Sequence, residues 1–243
     1  MENQPPVSCF CLTYGRPRLL EEAIHSFLQQ DYAGPKEMIV LNDYADQILE
    51  LDHPEVRVIN LPKRFRTLGE KMNTAVALAS HDVLFTWDDD DIYLPHRLRF
   101  STASFDPSKG FFKAASAWMW SDDSLSGPAQ NRFHAASCWS RALFDTIGGY
   151  AADGSGTDAI FERQLEARFP GATAPFATDR RNQPAPGMAA LEVGGALSRA
   201  GAGRRFHGHA PRNPEDCRSL RRRHAAMGLG GHGAVRALLA VGL

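Results

Sequence analysis

The sequence contains no long apolar run and no excess of charge of either sign. No stretch approaches the roughly 18 consecutive apolar residues that a membrane-spanning helix needs, and the first residues show no basic segment followed by an apolar one. The 27 Lys and Arg residues almost balance the 28 Asp and Glu residues. No global field therefore draws the chain to nucleic acid or to an anionic membrane. These absences predict a soluble, unexported, cytoplasmic protein with no nucleic acid partner.

Cysteine is also scarce. The four cysteines, Cys9, Cys11, Cys138 and Cys217, lack the spacing of metal ligands, and the first two are too close along a predicted strand to form a disulfide bond. We expect reduced thiols.

Hydrophobic residues, in contrast, make up 43% of the 243 positions. This excludes a disulfide-stapled mini-scaffold and a disordered chain, and it suffices for one large α/β domain or two small ones.

The first hundred residues alternate between short apolar runs and amphipathic segments. The alternation predicts βαβ units and a mostly parallel sheet, and ligands of such sheets bind beyond the carboxyl ends of the strands. Polar residues follow the strands at those ends, which is the first indication of a functional site. The predicted strands are 7–12, 38–41, 56–61 and 83–87, the predicted helices are 17–30 and 69–80, and the polar strand ends are Thr13-Tyr14, Asn42-Asp43 and 88–91.

The second half of the chain has a different texture and predicts an antiparallel extension. Strands are expected at 111–120 and 132–139 on either side of a polar turn at Asp122 and Asp123, followed by helices at 140–147 and 158–169. After about residue 170 the periodicity is lost. Residues 191–243 contain nine Arg and three acidic residues. Such a basic tail is either solvated and disordered or a candidate for peripheral contact with anionic lipid or phosphate.

Asp88, Asp89, Asp90 and Asp91, hereafter the acidic tetrad, directly follow the fourth predicted strand. Four adjacent carboxylates repel one another unless they are solvated, partly protonated or neutralised by a cation. Their hard oxygen atoms suit Mg²⁺ or Mn²⁺, which commonly take one or two carboxylates and complete their coordination with water and substrate phosphates. An acidic surface loop is the alternative, and the position after an apolar strand favours the metal site. An EF-hand is excluded because its glycine and distal glutamate are absent.

Four ordered motifs resemble glycosyltransferase family 2. They are Leu12-Thr13-Tyr14-Gly15-Arg16-Pro17, Ile39-Val40-Leu41-Asn42-Asp43, Gly69-Glu70-Lys71-Met72-Asn73, and the run from Trp87 through the acidic tetrad to Pro95-His96-Arg97-Leu98. The resemblance covers roughly residues 5–170. It implies a GT-A fold, in which a Rossmann-like, mostly parallel sheet flanked by helices carries a smaller mixed or antiparallel extension.

The resemblance also implies a division of the chain. Residues 1–100 would form the nucleotide-sugar-binding half, residues 101–175 the acceptor-binding half of the same domain, and residues 176–243 the low-periodicity basic tail. Asp88 and Asp90 would form the Asp-x-Asp pair of the family. Asp90 is the expected contact of Mg²⁺ or Mn²⁺. Asn42 departs from the family, which usually has an acid there. The expected nucleotide-sugar-binding residues are Thr13, Tyr14, Arg16, Asp43, Asn73, Asp88 and Asp89.

The expected catalytic base is Asp158, which resembles the acid that the family places at the start of a helix in the second half. A helix start favours the ionised form that a base needs, although such a residue can also serve only to stabilise the helix. Glu162, one turn later, is the fallback. His134, Asp122 and Asp123 are candidates for the border of an acceptor pocket, and each is also an ordinary turn or strand-end residue.

The implied reaction is an inverting, metal-dependent transfer of a sugar from a nucleoside-diphosphate sugar to a saccharide or other hydroxyl acceptor, as in surface polysaccharide synthesis. Two other enzyme classes lack support: there is no glycine-rich phosphate loop after the first strand for a nucleotidyltransferase, and no Asp-x-Asp-x-Thr/Val there for a haloacid-dehalogenase phosphatase. A non-catalytic module that binds nucleotide sugars or glycans on the same fold remains the alternative. The sequence leaves the donor, the acceptor and the oligomeric state open.

Overall fold

The structure is a computed structural model that describes residues 4–114, 116–121, 124–130, 134–152, 156–168 and 236–239. In these ranges the strands are β1 (Val7–Thr13), β2 (Lys36–Asn42), β3 (Val56–Asn60), β4 (Val83–Thr86), β5 (Ile92–Tyr93), β6 (Phe111–Lys113), β7 (Ser116–Ser121), β8 (Ser124–Gln130), β9 (Ser137–Ser140) and β10 (Arg236–Leu239). The helices are α1 (Pro17–Leu28), α2 (Leu68–Ala77), α3 (Arg97–Ser104), α4 (Arg141–Ile147) and α5 (Thr157–Arg168), with a 3-10 turn at His134–Ala136.

The main sheet has six strands in the order β3-β2-β1-β4-β9-β6. The first four run parallel, whereas β9 is antiparallel to both β4 and β6. The predicted α/β fold with a mostly parallel sheet and an antiparallel extension is therefore confirmed. Because β2 and β3 lie on one side of β1 and β4 lies on the other, the strand order reverses between β1 and β4. This reversal opens a crevice at the carboxyl ends of these two strands.

Helices cover both faces of the sheet. Alternate β1 side chains point to opposite faces, so Cys9 packs in a buried cluster with Phe27 of α1, and Phe10 packs in a second cluster with Met72 of α2. Cys9, Cys11 and Cys138 are free and buried, and burial raises the pKa of the Cys138 thiol to about 12. Cys217 lies outside the described residues.

Local signals fix where the site-bearing helices begin and end. Pro17 occupies the first turn of α1. The Thr67 hydroxyl accepts a hydrogen bond from the Glu70 N–H and caps the start of α2, and the Glu70 carboxylate accepts one from the Arg66 N–H, one residue before the N-cap. None of the helices in the described ranges is long and apolar enough to cross a bilayer.

Several elements of the second half differ from the predictions. The strand predicted at 111–120 is two strands, β6 and β7, and the one predicted at 132–139 is reduced to β9, preceded by the 3-10 turn. Strands β5, β8 and β10 and helix α3 were not predicted. They include a second sheet in the order β5-β10-β7-β8, in which β10 comes from the segment for which the sequence predicts no element. The predicted turn at Asp122 and Asp123 lies outside the described residues.

Candidate active site

The acidic tetrad lies at the reversal of strand order, opposite the loop that follows β1. Phe10 pairs with Thr86, and the Trp87 N–H donates to the Phe10 carbonyl at 3.0 Å. This pairing brings the ends of β1 and β4 side by side, so the loop at Thr13–Arg16 and the tetrad share one edge of the sheet. The two motifs are distant in the sequence and adjacent in the fold.

Arg16 bridges two members of the tetrad. Its Nη1 donates to Asp90 Oδ2 at 2.6 Å, its Nε donates to Asp89 Oδ2 at 3.2 Å, and its Nη2 donates to Asp89 Oδ1. The Asp89 side chain is almost fully buried, whereas that of Asp90 is 32% exposed. Burial raises the pKa of Asp89, and the Arg16 charge opposes that rise. One guanidinium therefore compensates part of the negative charge, and Asp90 keeps an accessible face.

Asp88 is in a different environment. Its backbone N–H donates to the Tyr93 hydroxyl at 2.9 Å, which fixes the turn after β4. The residue keeps contact with solvent, yet surrounding protein desolvates its carboxyl group and, together with repulsion from Asp90, raises its pKa to about 6. An exposed carboxyl group with a raised pKa is typical of the floor of a cleft, where a bound cation would favour the charged form.

A buried arginine lies beneath the tetrad. Arg97 has no solvent exposure, and its Nη2 donates to the carbonyls of Thr86 at 3.1 Å and Ala135 at 2.6 Å. Its guanidinium lies 4.1 Å from the centre of the Tyr93 ring. The positive charge of Arg97 opposes the rise in the pKa of Asp88. Arg97 thus links the end of β4 to the 3-10 turn and places a positive charge near the negatively charged tetrad.

A second buried ion pair lies at the ends of β1 and β2. Lys71 Nζ donates to Asp43 Oδ1 at 2.5 Å and to the Thr13 carbonyl at 2.7 Å. The other carboxylate oxygen of Asp43 accepts from the Phe65 N–H at 3.0 Å. Both oxygens of this expected nucleotide-binding acid therefore have protein partners. Burial lowers the pKa of Lys71, and Asp43 opposes the change.

Tyr14, one of the expected nucleotide-sugar-binding residues, already has neighbours on its ring. The Tyr44 ring is centred 4.9 Å away at a tilt of 54°, and the Arg64 guanidinium lies 4.2 Å from the ring centre. Asn42, where the family usually has an acid, donates to the Gln47 carbonyl and to Asn60 Oδ1 and accepts from the Tyr44 N–H. Asn42 thus organises the loop that carries Tyr44 beside Tyr14.

Asn73 is hydrogen-bonded to the segment that precedes α5. Its amide nitrogen donates to the Tyr150 carbonyl at 2.9 Å, and its oxygen accepts from the Tyr150 N–H at 2.9 Å. The expected role of Asn73 in binding the nucleotide sugar stays a prediction, and the contacts present connect the two halves of the domain.

The two candidate bases have different surroundings. Asp158 is exposed in the first turn of α5, and within the described residues it has no hydrogen bond or ion pair. Glu162 accepts from Lys113 Nζ at 2.7 Å and lies 3.1 Å from His134 Nδ1. Burial raises the pKa of Glu162, but these two hydrogen bonds outweigh it and lower the pKa below its usual value.

Tyr150 contacts α2, the 3-10 turn and α5. Its hydroxyl is 2.8 Å from His134 Nε2, so His134 lies between Tyr150 and Glu162 inside the protein. Burial, together with the negative charges of Asp88, Asp158 and Glu162, raises the pKa of Tyr150 well above its usual value. The fold therefore brings the tetrad and the start of α5 to a common centre. The other two candidates for the acceptor border, Asp122 and Asp123, lie outside the described residues.

The residues present fit a divalent cation that shares its coordination with a substrate. Among the described residues, no group of three or more His, Cys, Asp or Glu side chains is placed to hold a metal ion. Mg²⁺ and Mn²⁺ commonly bind through one or two carboxylates, and phosphate and water oxygens complete the shell. Asp88 and Asp90 supply accessible hard oxygens of this kind.

Three residues of the site, Lys71, Arg97 and Lys113, were not singled out by the sequence. Lys71 lies four positions before the buried Ala75, on the inward stripe of α2, and this placement is a signal that could have marked it as a buried cation. Arg97 stands inside a quoted motif, but nothing in the sequence distinguishes it from an exposed arginine. Lys113 follows two buried phenylalanines in β6, and only its partners on other elements reveal its role.

Comparison with known proteins finds similarity to one family over less than half of the chain. Residues 8–106 match the model described as glycosyl transferase family 2. A colanic acid biosynthesis glycosyl transferase of Escherichia coli K12, WcaA, is 28% identical over 152 residues, which are 59% of this chain and 54% of that protein. The chain thus spans about half the length of this curated relative. These matches confirm the resemblance predicted from the four motifs.

Solved structures confirm the predicted GT-A fold. The mannosyltransferase PcManGT of Pyrobaculum calidifontis, solved with GDP-Man and Mn²⁺, has a TM-score of 0.55 at 18% identity and matches 95% of this chain and 77% of its own. TarS 1–349 of S. aureus has a TM-score of 0.52 at 15% identity, covering 66% of this chain and 55% of that one. At these identities the likeness concerns the fold.

Proposed function

From the glycosyl transferase family 2 region at residues 8–106, we propose that the chain transfers a sugar from a nucleoside-diphosphate sugar to a hydroxyl acceptor in a divalent-metal-dependent reaction. The observation that carries the proposal is the acidic tetrad at the reversal of strand order. Asp88 there has a pKa of about 6, and Asp90 keeps an accessible face. Excess carboxylate charge at this position favours binding of a cation, and a metal–diphosphate complex supplies one.

The donor half would hold the nucleotide sugar. Tyr14, Tyr44 and Arg64 form a surface on which a nucleobase can stack or be covered. Asp89 would contact the ribose or the donor sugar, and Thr13 the base or the diphosphate; both residues are buried, and Asp89 would have to release Arg16 to do so. Arg16 can exchange its bonds to Asp90 for a diphosphate oxygen, because the guanidinium binds both kinds of oxyanion.

Asp88 and Asp90 would hold Mg²⁺ or Mn²⁺ together with the diphosphate. When bound, the cation stabilises the charge that develops on the departing nucleoside diphosphate. The Mn²⁺ in the Pyrobaculum mannosyltransferase structure supports a metal of this type. On the family resemblance we assign the metal contact to Asp90, whose side chain stays 32% exposed although Arg16 binds one of its oxygens.

Asp158 would remove the proton from the acceptor hydroxyl. It is exposed and lacks a partner among the described residues, whereas Glu162 is engaged by Lys113 and His134. A carboxylate that is free to reach a substrate suits a general base better than one held inside an ion pair. Attack on the face opposite the leaving group would invert the anomeric configuration, and no covalent enzyme intermediate would form.

The acceptor is proposed to be a saccharide or other hydroxyl compound of surface polysaccharide synthesis. The colanic acid relative supports this class. The nucleotide is the part of the donor that a binding experiment can identify first.

The test combines binding and turnover. Calorimetric titration with UDP, GDP and dTDP, with and without Mn²⁺, should show one nucleotide that binds tightly only with the metal. Asp90→Asn should abolish the metal effect, and Asp82→Asn, at a 90% exposed side chain, should preserve it. With the matching nucleotide sugar, Asp158→Asn should retain donor binding and lose turnover by about 10²–10⁴-fold.

Two results would redirect the assignment. Tight binding without any release of nucleoside diphosphate, in wild type and Asp158→Asn alike, would favour the non-catalytic nucleotide-sugar or glycan-binding module. Failure of every nucleotide to bind, with or without Mn²⁺, would contradict both functions.

A further inference from the structure

One asparagine side chain joins α2 of the donor half to the segment that leads into α5. Asn73 makes two hydrogen bonds of 2.9 Å to the backbone of Tyr150, one through each end of its carboxamide. Gly148 and Gly149, with φ of +91° and +74°, end α4 and turn the chain so that Tyr150 meets Asn73. A Cβ at Gly149 would lie 2.9 Å from the Asn73 side-chain oxygen. The backbone at position 149 can therefore approach Asn73 this closely only because the residue is glycine.

A second contact lies one turn earlier on the same face of α2. A Cβ at Gly69 would lie 1.8 Å from the Ala151 carbonyl oxygen and 3.3 Å from Thr157 Oγ1. The Thr157 hydroxyl donates to that same carbonyl at 3.2 Å. Residues four apart on a helix share a face, so Gly69 and Asn73 together dock α2 against the first residue of α5.

Tyr150 carries the connection into α5. Its ring is centred 4.8 Å from that of Phe161, and its hydroxyl is bonded through His134 to Glu162, which Lys113 also holds. Glu162 is one helical turn after Asp158. The face of α5 that bears Asp158 is thus fixed by a continuous series of contacts that begins at Asn73.

We infer that Asn73 is a positioning residue: through Tyr150 it sets where α5 places Asp158 relative to the acidic tetrad. The inference rests on the proposed function, which makes Asp158 the catalytic base. It gives Asn73 the role of aligning α2 with α5 and not that of contacting the nucleotide. Misplacement of a reacting group by about 1 Å lowers a rate on the order of 10²-fold. The effect of Asn73 should therefore appear in turnover and not in nucleotide affinity.

The experiment uses the full chain and three variants. Asn73→Asp keeps the size and the acceptor oxygen but loses the donor to the Tyr150 carbonyl. Tyr150→Phe keeps the ring and loses only the bond to His134, so it interrupts the same series at its other end. The control is Gln30→Glu, because Gln30 makes a comparable buried link, donating to the Leu94 carbonyl and accepting from the Leu98 N–H, on the opposite side of the sheet.

Hydrogen–deuterium exchange and nucleotide titration need no knowledge of the acceptor. In Asn73→Asp and Tyr150→Phe, exchange over residues 156–168 should rise about tenfold relative to residues 36–42. In Gln30→Glu it should not. The dissociation constant for UDP or GDP with Mn²⁺, whichever binds wild type, should stay within about twofold in both variants. Release of nucleoside diphosphate from the matching sugar donor should fall on the order of 10–100-fold in kcat, with KM for the donor unchanged.

The outcomes separate this inference from the proposed function. Unchanged exchange over 156–168, or a tenfold loss of nucleotide affinity in Asn73→Asp, would overturn the positioning role. Faster exchange with undiminished kcat would overturn it too. A wild-type chain that turns over no donor would contradict the proposed function. In that case hydrogen exchange over residues 156–168 would still test the connection from Asn73 to α5. Faster exchange in Asn73→Asp and Tyr150→Phe would support the connection, and unchanged exchange would overturn it.

Discussion

Two buried lysines around the candidate site are paired with carboxylates that are far away in the sequence, whereas the buried Arg97 bonds only to backbone carbonyls. Lys71 with Asp43 and Lys113 with Glu162 are pairs of this kind. Removing one partner from a buried pair leaves an uncompensated charge, which costs much more than the loss of a pair in water. Stability measurements on single residues can therefore identify these pairs.

Lys71→Met should lower the free energy of unfolding by about 3–5 kcal/mol, because Asp43, whose side chain is 4% exposed, would keep its charge without a counterion. Lys36→Met is the matched control, since its partner Glu55 is 37% exposed and can be hydrated. That variant should lose about 1 kcal/mol or less. Urea unfolding at pH 7 measures both, and equal losses would show that the Asp43 pair is solvated.

Glu162→Gln should destabilise the protein in a pH-dependent way. Although burial alone would raise the pKa of Glu162, bonds from His134 and Lys113 leave it below the usual 4.5. Stability from a lowered carboxyl pKa is present above the unfolded value of about 4.3 and disappears as the pH falls through the folded value. The variant should therefore lose about 1–3 kcal/mol at pH 7, and the difference from wild type should shrink below about pH 4.

Unfolding by urea at a series of pH values from 3 to 7 tests this dependence, with Glu21→Gln on the exposed side of α1 as the control. A difference between Glu162→Gln and wild type that stays constant over that series would mean that the carboxylate charge is not what the bonds stabilise.

At the scale of elements, the docking of α2 against the start of α5 decides how the two halves meet. Glycine in a helix usually costs about 0.5–1 kcal/mol relative to alanine. At Gly69 the preference should be reversed, because an added Cβ would lie 1.8 Å from a backbone oxygen that cannot rotate away. The close approach thus explains why a poor helix former stands in the first turn of α2.

Gly69→Ala should lower the free energy of unfolding by about 1–3 kcal/mol, as expected for overpacking. Ala77→Gly, at the exposed end of the same helix, should lose about 0.5–1 kcal/mol through the ordinary preference for alanine. Denaturant unfolding of the two variants measures both effects. A stabilised Gly69→Ala protein would show that α2 and Ala151 are farther apart than the structure places them.

Elements with a clear apolar period were predictable from the sequence, and the others were not. The first four strands and helices α1 and α2 follow their apolar patterns closely, whereas α5, although also predicted, buries only Phe161 and Leu165 of its expected stripe. Helix α3 was missed because its buried residues, Arg97, Leu98 and Ser101, are mostly polar. Strand β5 has only two residues, Ile92 and Tyr93, which is too short for any period to show.

The site was predictable in its location but not in its contacts. Polar residues at strand ends already indicated the edge where Asp43 and the acidic tetrad lie. The bonds from Arg16 to Asp89 and from Asn73 to Tyr150 join residues 73 and 77 positions apart. No local pattern encodes such pairs, because they depend on which strands become neighbours in the sheet.

At the scale of the whole molecule, two buried clusters share one sheet. Trp87 lies in the cluster on the α1 face and Trp139 in the cluster on the α2 face, and both are fully buried. Their strands are close, because β4 pairs with β9 and Leu84 lies opposite Trp139. Loss of either cluster would expose the sheet that supports the other, so we expect both to unfold together.

Two variants with a single tryptophan each can test this cooperativity. Both carry Trp118→Phe and Trp120→Phe. Adding Trp87→Phe leaves Trp139 as the fluorescent reporter, and adding Trp139→Phe instead leaves Trp87. For each protein, the urea midpoint by fluorescence should coincide with its own midpoint by circular dichroism. A fluorescence transition that precedes the loss of secondary structure in either protein would show that one face of the sheet opens on its own.

The reversal of strand order between β1 and β4 also has a consequence during protein synthesis. Arg16 leaves the ribosome well before Asp89 and Asp90, and the two ends of the site are joined only when β4 pairs with β1. A nascent chain that stops before β4 can form the β1–β2 pair yet lacks the acidic tetrad. A ligand of the proposed site can therefore favour the native topology only after translation has passed the tetrad.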